Sequence, residues 1–469
     1  MRTFAERYPF IQMKTDILVI GGGASGLMAA FAAARTLTDG GRADQVTLLE
    51  KMPRPGRKIM ITGKGRCNFT NVKAWNEFSQ HVQAGSAFVK SSFYNLSPDK
   101  LVDWFERHGM RTVVERGDRA FPASHRSSEV VDTLLNACLG LGVKVQTGTA
   151  VTDVSALPDG GFQVLAEGPD GPQKWLCQKL ILATGGLSYP GTGSTGDGYA
   201  WAKALGHSIK PLFPSLTALV PRGYKVEAPA GPDGPRHIDR STPLSETGRL
   251  LQGVQLKNVG VSLLVEGSLA DDAFGDLDFT DGGIEGPVGF QLSRKAVKSL
   301  FNGSRVRLVL DLKPGVPLTE VTERVKALWK DVDTDPRSRR LHEKGKCKVM
   351  LEKLLPREMV PAFLAWHPQI LTLERRGRTD TKVWVNLPTI AKALKEWSFD
   401  IAGYVGYERC VVTAGGVATD EVSPKTMESK KCPGLYFCGE VLDVDCDTGG
   451  YNLQIAFCTG FLAGLSAGK

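Results

Sequence analysis

Asp16-Ile17-Leu18-Val19-Ile20-Gly21-Gly22-Gly23-Ala24-Ser25-Gly26 is the stretch that decides the fold. Its apolar half is short enough for a buried strand, and Leu27 to Ala34 beyond it reads as an Ala-rich helix. Val46-Thr47-Leu48-Leu49 is a second apolar strand, ending on Glu50, 24 residues after Gly26. Strand, Gly-rich turn, helix and acid-tipped strand in that order form the unit that binds a dinucleotide. Gly21 permits the tight turn, Gly23 lets the backbone approach a pyrophosphate, and Gly26 lets helix and strand pack closely. The amides that open the helix, at Ala24 and Ser25, face the phosphates, and Glu50 can accept both hydroxyls of an adenosine ribose.

The remaining chemistry must be read around that unit. At 469 residues and 42% hydrophobic content, the chain has room for two or three domains with buried cores. Met1 to Lys14 holds no long apolar stretch, and Leu27 to Ala34 is too short to span a bilayer, so neither a secretory signal nor a membrane role is expected. Nine cysteines are scattered from Cys67 to Cys458 without a CxxC or a metal-type cluster. This usage fits free thiols in a reducing compartment, the cytoplasm, and argues against a redox-active dithiol and against a metal site.

The net charge of +8 is unevenly spread. Between Lys51 and Lys73 there are seven cations, Lys51, Arg57, Lys58 and Arg66 among them, and no acid. A second basic stretch runs from Arg337 to Lys348, with Glu343 as its single acid. Such runs are most often solvated faces. The first directly follows the ribose-binding acid, where a pyrophosphate needs neutralising, so Lys51, Arg57 and Lys58 are candidates for the cofactor site.

Strand and helix patterns alternate through the first part of the chain, as in a parallel sheet covered on both faces. Phe162 to Ala166 with Lys174 to Cys177 predicts a small antiparallel excursion. Lys179 to Ala183 is a buried strand ending on Thr184-Gly185-Gly186, small residues that suit a ligand at the carboxyl edge of the sheet. From 207 to about 313 the pattern is strand-like, with Arg222 to Arg249 expected as a long exposed loop. From Leu318 to Trp397 the period is helical, and strand character returns near Ile401. The chain therefore divides into residues 14–206, the first part of a dinucleotide-binding domain; 207–315, an inserted β-rich domain; 316–397, a helical subdomain; 398–405, a return strand of the insert; and 406–469, which completes the first domain.

The C-terminal segment carries a second signal. Gly434 to Cys438 is a short strand, followed by Gly439-Glu440 and a polar turn from Asp443 to Asp447. Thr448-Gly449-Gly450-Tyr451-Asn452-Leu453 then opens a final helix. Paired glycines at a helix start present bare amides and the positive end of the dipole, which would stabilise the anionic edge of a reduced flavin. The acids of the preceding turn could hold a ribityl chain. Arg57 to Asn71, which includes Gly65, Arg66, Cys67 and Asn68, is rich in donors and poor in apolar area. Cys67 lies between Arg66 and Asn68, and neighbouring cations would lower its pKa and raise its reactivity, although a lone Cys is more often structural. Gly191 to Gly196 also spells GxGxxG but lacks the acid-tipped strand, so no separate nicotinamide-binding unit is expected. His125 precedes a helix from Ser128 to Leu141 and could face a site or solvent.

Together these residues resemble the YhiN-like flavoproteins, a bacterial family that includes aminoacetone oxidase-like and bile-acid reductase members. The matching segments are Asp16 to Met28, Gly56 to Asn71, Ala183 to His207, Thr280 to Leu292 and Val412 to Gly464. The resemblance implies FAD, a fold of the two-dinucleotide-binding flavoprotein type, and a β-barrel-like insert with a helical subdomain. It also implies that Gly21, Gly23, Gly26 and Glu50 bind the ADP half and that Val151 contacts adenine through its backbone. Arg66, Cys67, Asn68, Gly449, Gly450, Asn452 and Leu453 would surround the isoalloxazine. Glu285 stands where the family has Ser, Asp281 where His is common, and Cys446 where Gly is typical. The first two bring negative charge into the insert, so a relative's substrate does not transfer to this chain.

The expectation is an FAD-dependent α/β oxidoreductase acting on a small organic substrate between the flavin and the insert. NADH or NADPH would be a transient donor. Its cofactor shell would be Gly21, Gly23, Ala24, Ser25, Gly26, Glu50, Lys51, Arg57, Lys58, Gly65, Arg66, Cys67, Asn68, Val151, Thr184, Gly185, Gly439, Glu440, Asp443, Gly449, Gly450, Asn452 and Leu453. Cys67, Tyr189 and Tyr451 are the candidates for catalysis, and Tyr189, Tyr451 or Asp443 could serve as proton donor. A nucleic acid is not the expected partner, nor is an obligate protein partner. Two rivals stay open: a flavin-dependent RNA-modifying enzyme, suggested by the net charge and the Arg337 to Lys348 stretch, and a flavin redox sensor that docks another protein.

Overall fold

The apolar run after Asp16 becomes a strand in which every side chain is buried, which requires cover on both faces. In the computed structural model, which describes residues 10–226, 237–376 and 380–469, that strand is the centre of a five-stranded parallel sheet. We number its strands β1 (Ile17–Ile20), β2 (Val46–Leu49), β3 (Lys144–Gln146), β4 (Lys179–Leu182) and β5 (Leu435–Phe437), in the spatial order β5-β4-β1-β2-β3. The described residues fall into two compact units. One is made of residues up to Pro214 together with Val411–Lys469; the other is Ser215–Cys410.

In the first unit, helix α1 (Ala24–Asp39) follows β1, and helix α2 (Tyr451–Ala467) follows β5. The two pack face to face on small residues. Ala29, Ala30 and Ala33 of α1 are wholly buried. A Cβ at Gly460 or Gly464 of α2 would overlap the carbonyl oxygens of Ser25 and Ala29. The closeness comes from the absent side chains, and it brings the N-terminus of α1 beside β5. The expected antiparallel excursion is present as Phe162–Gly168 paired with Gly171–Cys177. Ala150–Ala156 joins it on one edge, and Ile11–Lys14 joins it, parallel, on the other.

The second unit contains the expected β-barrel, closed by six strands: Leu219–Pro221, Gly283–Glu285, Ser268–Thr280, Gln255–Val265, Val306–Asp311 and Trp397–Tyr404. Alternation over residues 397–401 of Trp397–Tyr404 sends Trp397, Phe399 and Ile401 inward and Ser398 and Asp400 outward. Trp397 and Phe399 pack against Phe279 in the barrel core.

Four details differ from the sequence expectations. The strand-like region contains a 16-residue helix, Gly286–Phe301, whose buried Val288, Leu292, Ala296 and Leu300 recur at helical spacing. Within 222–249, residues 227–236 lie outside the described residues. Of the rest, Lys225 is buried rather than exposed, its ammonium donating to the carbonyls of Arg240 and Thr242. The segment read as helical holds a two-stranded sheet, Leu371–Arg376 with Asp380–Val385, between its helices. Lastly, the negative charge of Asp281 is paired, whereas that of Glu285 is opposed by burial. Asp281 accepts from Arg240 and Arg409, while Glu285 lies 3.5 Å from Arg409, its carboxyl pushed above the ordinary range by burial.

Candidate functional site

The Gly-rich turn sits where β1 meets α1, at the carboxyl edge of the parallel sheet. Gly21 has φ +104°, and a Cβ there would lie 2.5 Å from the Ala183 carbonyl oxygen. A Cβ at Gly26 would overlap the carbonyl oxygen of Gly21. Gly23 differs from both: it is the N-cap of α1, no side chain caps it, and a Cβ would meet nothing within 4 Å. Two glycines therefore serve packing, while the third leaves open space before the bare helix amides of Ala24 and Ser25. That space can take an anion.

Glu50 closes the same edge. Its Oε2 accepts from the Gly22 amide and its Oε1 from the Met52 amide, each at 2.7 Å. Burial pushes its carboxyl up, against the pull of these two donors and of Lys51 and Arg57. Each oxygen keeps a second lone pair, enough for one ribose hydroxyl apiece. The Thr149 amide donates to the Glu50 carbonyl at 3.0 Å, which sets the strand bearing Val151 alongside.

The centre of the unit is a polar network. Lys58 Nζ lies 2.6 Å from Glu440 Oε2, and it also meets the Ser188 hydroxyl. Ser188 Oγ donates to Glu440 Oε1 at 2.7 Å and the Thr413 amide to the same oxygen at 2.8 Å. Burial alone would raise the Glu440 carboxyl, but Lys58 and these donors outweigh it and hold it below its ordinary value. Gly439, at φ +76°, donates to Thr459 Oγ1. Gly185, at φ +75°, and half-buried Thr184 follow the end of β4 in irregular backbone. Lys51 pairs with Asp197 at 2.6 Å. Ser188 and Thr413 were not foreseen from sequence; single hydroxyls without a local pattern give no signal.

The third part joins residues 57–71 to the start of α2. Gly449 and Gly450 have φ of +124° and +96°, and no side chain caps the helix. A Cβ at Gly450 would come within 2.6 Å of the Thr70 backbone and 2.8 Å of Asn68 Oδ1. That Oδ1 is buried with no hydrogen-bond partner, a costly state unless a ligand donor completes it. Gly65, at φ +87°, has open space beyond its Cα. Asn452 spends its carboxamide on the preceding turn, accepting from the Cys446 amide and donating to the Cys446 and Asp447 carbonyls. Leu453 and Asp443 are half-buried, and the Asp443 amide donates to Val417.

The candidate catalytic residues are placed differently from one another. Cys67 is wholly buried at φ +55°, and burial pushes its thiol up to about 12. This reverses the lowered value expected from its neighbours, because Arg66 turns away to Glu115, to His125 Nδ1 and over the Phe121 ring. His125 is exposed, at φ +54°. Tyr189 is half-buried, also with positive φ. Tyr451 is buried and stacks on His81 with centroids 4.3 Å apart, and burial pushes its phenol up to about 12. His81 Nδ1 lies 2.9 Å from Asp447 Oδ2, so this imidazole shares the turn of Gly449 and Gly450. Nothing in its sequence surroundings pointed to it.

Among the described residues, no helix is long and apolar enough to cross a membrane. The family model described as the HI0933-like protein Rossmann domain matches residues 15–466. The chain is 31% identical to a 3-dehydro-bile acid delta(4,6)-reductase of Clostridium scindens, over 96% of this chain and 98% of that one. It is 28% identical to a ribosomal RNA dihydrouridine synthase of Haemophilus influenzae, over 97% and 99%. With the ribosomal RNA dihydrouridine synthase of Escherichia coli it shares 29%, over 94% and 95%.

Proposed function

This chain belongs to the HI0933-like family and is an FAD-dependent flavoprotein oxidoreductase, and from that premise we propose that it reduces a carbon–carbon double bond conjugated to a carbonyl, in a uracil ring presented by RNA. The activities named for its relatives support the reaction class. A 3-oxo steroid with 4,6 double bonds and a uridine both offer an alkene polarised by a carbonyl. The π bond breaks and two C–H bonds form, one from a hydride and one from a proton, with NADH or NADPH as the reductant.

The described residues fit FAD: the open space at Gly23, the poised Glu50 and the unpartnered Asn68 Oδ1 are three places a dinucleotide flavin would complete. When bound, FAD supplies the hydride chemistry. The protein's own part is positional. Gly21, Gly23, Ala24, Ser25 and Gly26 would receive the pyrophosphate, and Glu50 the ribose. Arg57 would supply positive charge, Lys51 and Lys58 being paired with Asp197 and Glu440, and Thr184, Gly185, Gly439, Glu440 and Asp443 would line the ribityl path. Asn68, with the positive end of α2 at Gly449 and Gly450, would meet the polar edge of the ring system. His81, held by Asp447 and stacked on Tyr451, is the group we assign to deliver the proton.

One observation favours RNA over a small substrate: the second unit exposes cations that no acid neutralises. Arg339, Arg340, Lys344 and Lys348 are all exposed and form no ion pair among the described residues. Phosphate contacts supply most of the affinity for RNA. A small organic substrate is the second reading, favoured by the 31% identity to the bile-acid reductase. The test is single turnover: the FAD-loaded protein, reduced anaerobically with NADPH or NADH, is mixed with a uridine-containing ribosomal RNA transcript or with a 3-oxo-4,6-diene steroid. Dihydrouridine in the RNA, read as a gain of about 2 Da for the two added hydrogens, supports the first reading. Reoxidation by the steroid alone supports the second, and reoxidation by neither sinks the reaction class.

A further inference from the structure

We infer that the face formed by Arg339, Arg340 and the helix Glu343–Leu351 is a docking surface for the phosphate backbone of RNA, with Trp384 beside it as a stacking platform; the inference rests on the RNA reading above. The sequence has six cations between Arg337 and Lys348, and the structure sorts them. Arg337 donates twice to the Asp335 carboxylate. Lys346 is largely buried and bonded to Asp333 and Glu343. The other four are exposed and unneutralised. Lys344 and Lys348 stand one helical turn apart on a single face, about 6 Å along the axis.

The placement is unfavourable for the helix itself. Lys344 lies in the first turn, with Arg339 and Arg340 just before it, all at the positive end of the dipole, where anions are preferred. The one acid of that turn, Glu343, is occupied by Lys346. An anionic partner would relieve that repulsion, and phosphate suits both the guanidinium forks and the ammonium groups. The strand Asp380–Val385 packs beside this helix, and its Trp384 is 46% exposed. Leu373, on the partner strand, is 68% exposed. A cationic track next to an exposed indole is the combination that holds single-stranded nucleic acid, charge for the backbone and a ring for the bases.

The experiment uses the full-length, FAD-loaded protein and a fluorescein-labelled single-stranded RNA of about 20 nucleotides, with anisotropy read between about 50 and 200 mM salt. Wild type is expected to bind with a steep salt dependence. Replacing all four cations (Arg339→Gln, Arg340→Gln, Lys344→Gln, Lys348→Gln) should weaken binding at least tenfold at low salt and flatten the log–log slope by roughly 0.7 for each phosphate no longer neutralised. Trp384→Ala should weaken it about tenfold with the slope unchanged. A control, Lys298→Gln with Arg305→Gln, should do neither, and all variants should keep the flavin spectrum and its rate of reduction by NADPH. If wild type binds and the four-fold variant binds equally well, the surface is wrong while the RNA reading stands. If wild type fails to bind even at the lowest salt, the RNA reading itself falls. Tighter association with anionic lipid vesicles than with RNA would overturn the choice of partner.

Discussion

Lys58 and Glu440 stand 382 positions apart in the chain and 2.6 Å apart in space, and they couple the two halves of the candidate cofactor site. One lies in the basic run after Glu50; the other follows the last strand of the sheet. Ser188 and Thr413 complete the cluster from two further segments. Lys58→Met should strand a mostly buried carboxylate and cost about 2 kcal/mol of stability, measured by urea unfolding at neutral pH. The sign with pH follows from the direction of the shift. A carboxyl held below its ordinary 4.5 adds stability in full above that pH and loses it as pH falls through the depressed value. Wild type should therefore lose stability below pH 4.5 more steeply than the Met variant. Parallel curves would show that the pair does not govern Glu440.

Gly23 and Gly26 make a matched comparison. A Cβ at Gly26 overlaps the Gly21 carbonyl, so Gly26→Ala should destabilise the protein severely or prevent folding. Gly23 has ordinary φ of −79° and open space, so Gly23→Val should leave the melting temperature of the FAD-free protein within a few degrees. It should nevertheless abolish FAD uptake, read by the yellow absorbance after reconstitution. Normal uptake by the Val variant would show that no pyrophosphate passes there.

Asn68 tests the other end of the cofactor. Because its Oδ1 is buried and unpartnered, Asn68→Leu should cost the FAD-free protein less than about 1 kcal/mol. FAD affinity should fall about tenfold, as for one hydrogen bond removed from a closed site. Equal losses in both forms would assign Asn68 to the fold instead.

For Cys67 a lack of reactivity is expected. A buried thiol pushed up to about 12 stays protonated in mildly alkaline buffer and should resist iodoacetamide for hours, whereas half-buried Cys432 should alkylate sooner. Mass mapping after trypsin digestion distinguishes them. Rapid labelling of Cys67 in the folded protein would reopen its candidacy as a nucleophile.

His81→Gln keeps a hydrogen-bonding side chain beside Asp447 but removes the proton carrier. Flavin reduction by NADPH should stay near wild type while substrate-driven reoxidation falls about 100-fold or more. Equal slowing of both half-reactions would point to a disturbed turn rather than to a missing acid.

The legible features are those written in a short span. Gly21, Gly23, Gly26 and Glu50 announce their arrangement because strand, turn, helix and strand follow one another with fixed spacing, and the parallel sheet can be drawn from them. A β-rich insert is legible from the strand-like pattern of 207 to about 313, whereas the barrel is what the family resemblance implies, and Trp397, read with the helical stretch, opens one of its strands. The helix Gly286–Phe301 is hidden between strands, its start marked by Gly286-Pro287, which reads equally well as a turn. The Lys58, Ser188, Thr413 and Glu440 cluster is not legible because its members come from four distant segments. The direction of the Cys67 shift escapes the sequence for a related reason: neighbours along the chain need not be neighbours in space. Arg66 points to Glu115 and leaves the thiol in an apolar interior.

The interlock of α1 with α2 also bears on how the molecule is made. The small-residue face of α1, around Ala29 and Ala33, emerges from the ribosome early, yet the glycines that cover it are almost the last to be synthesised. At ordinary elongation rates the interval is roughly 20 to 80 s. During it, Glu50 and the first Gly-rich turn exist, but the helix that completes their domain does not. The nucleotide fold cannot close until the inserted residues have been synthesised. With the site proposed above, cofactor capture is thus a late event, and a nascent chain halted anywhere in the insert would display an apolar helix and hold only the first half of that proposed site.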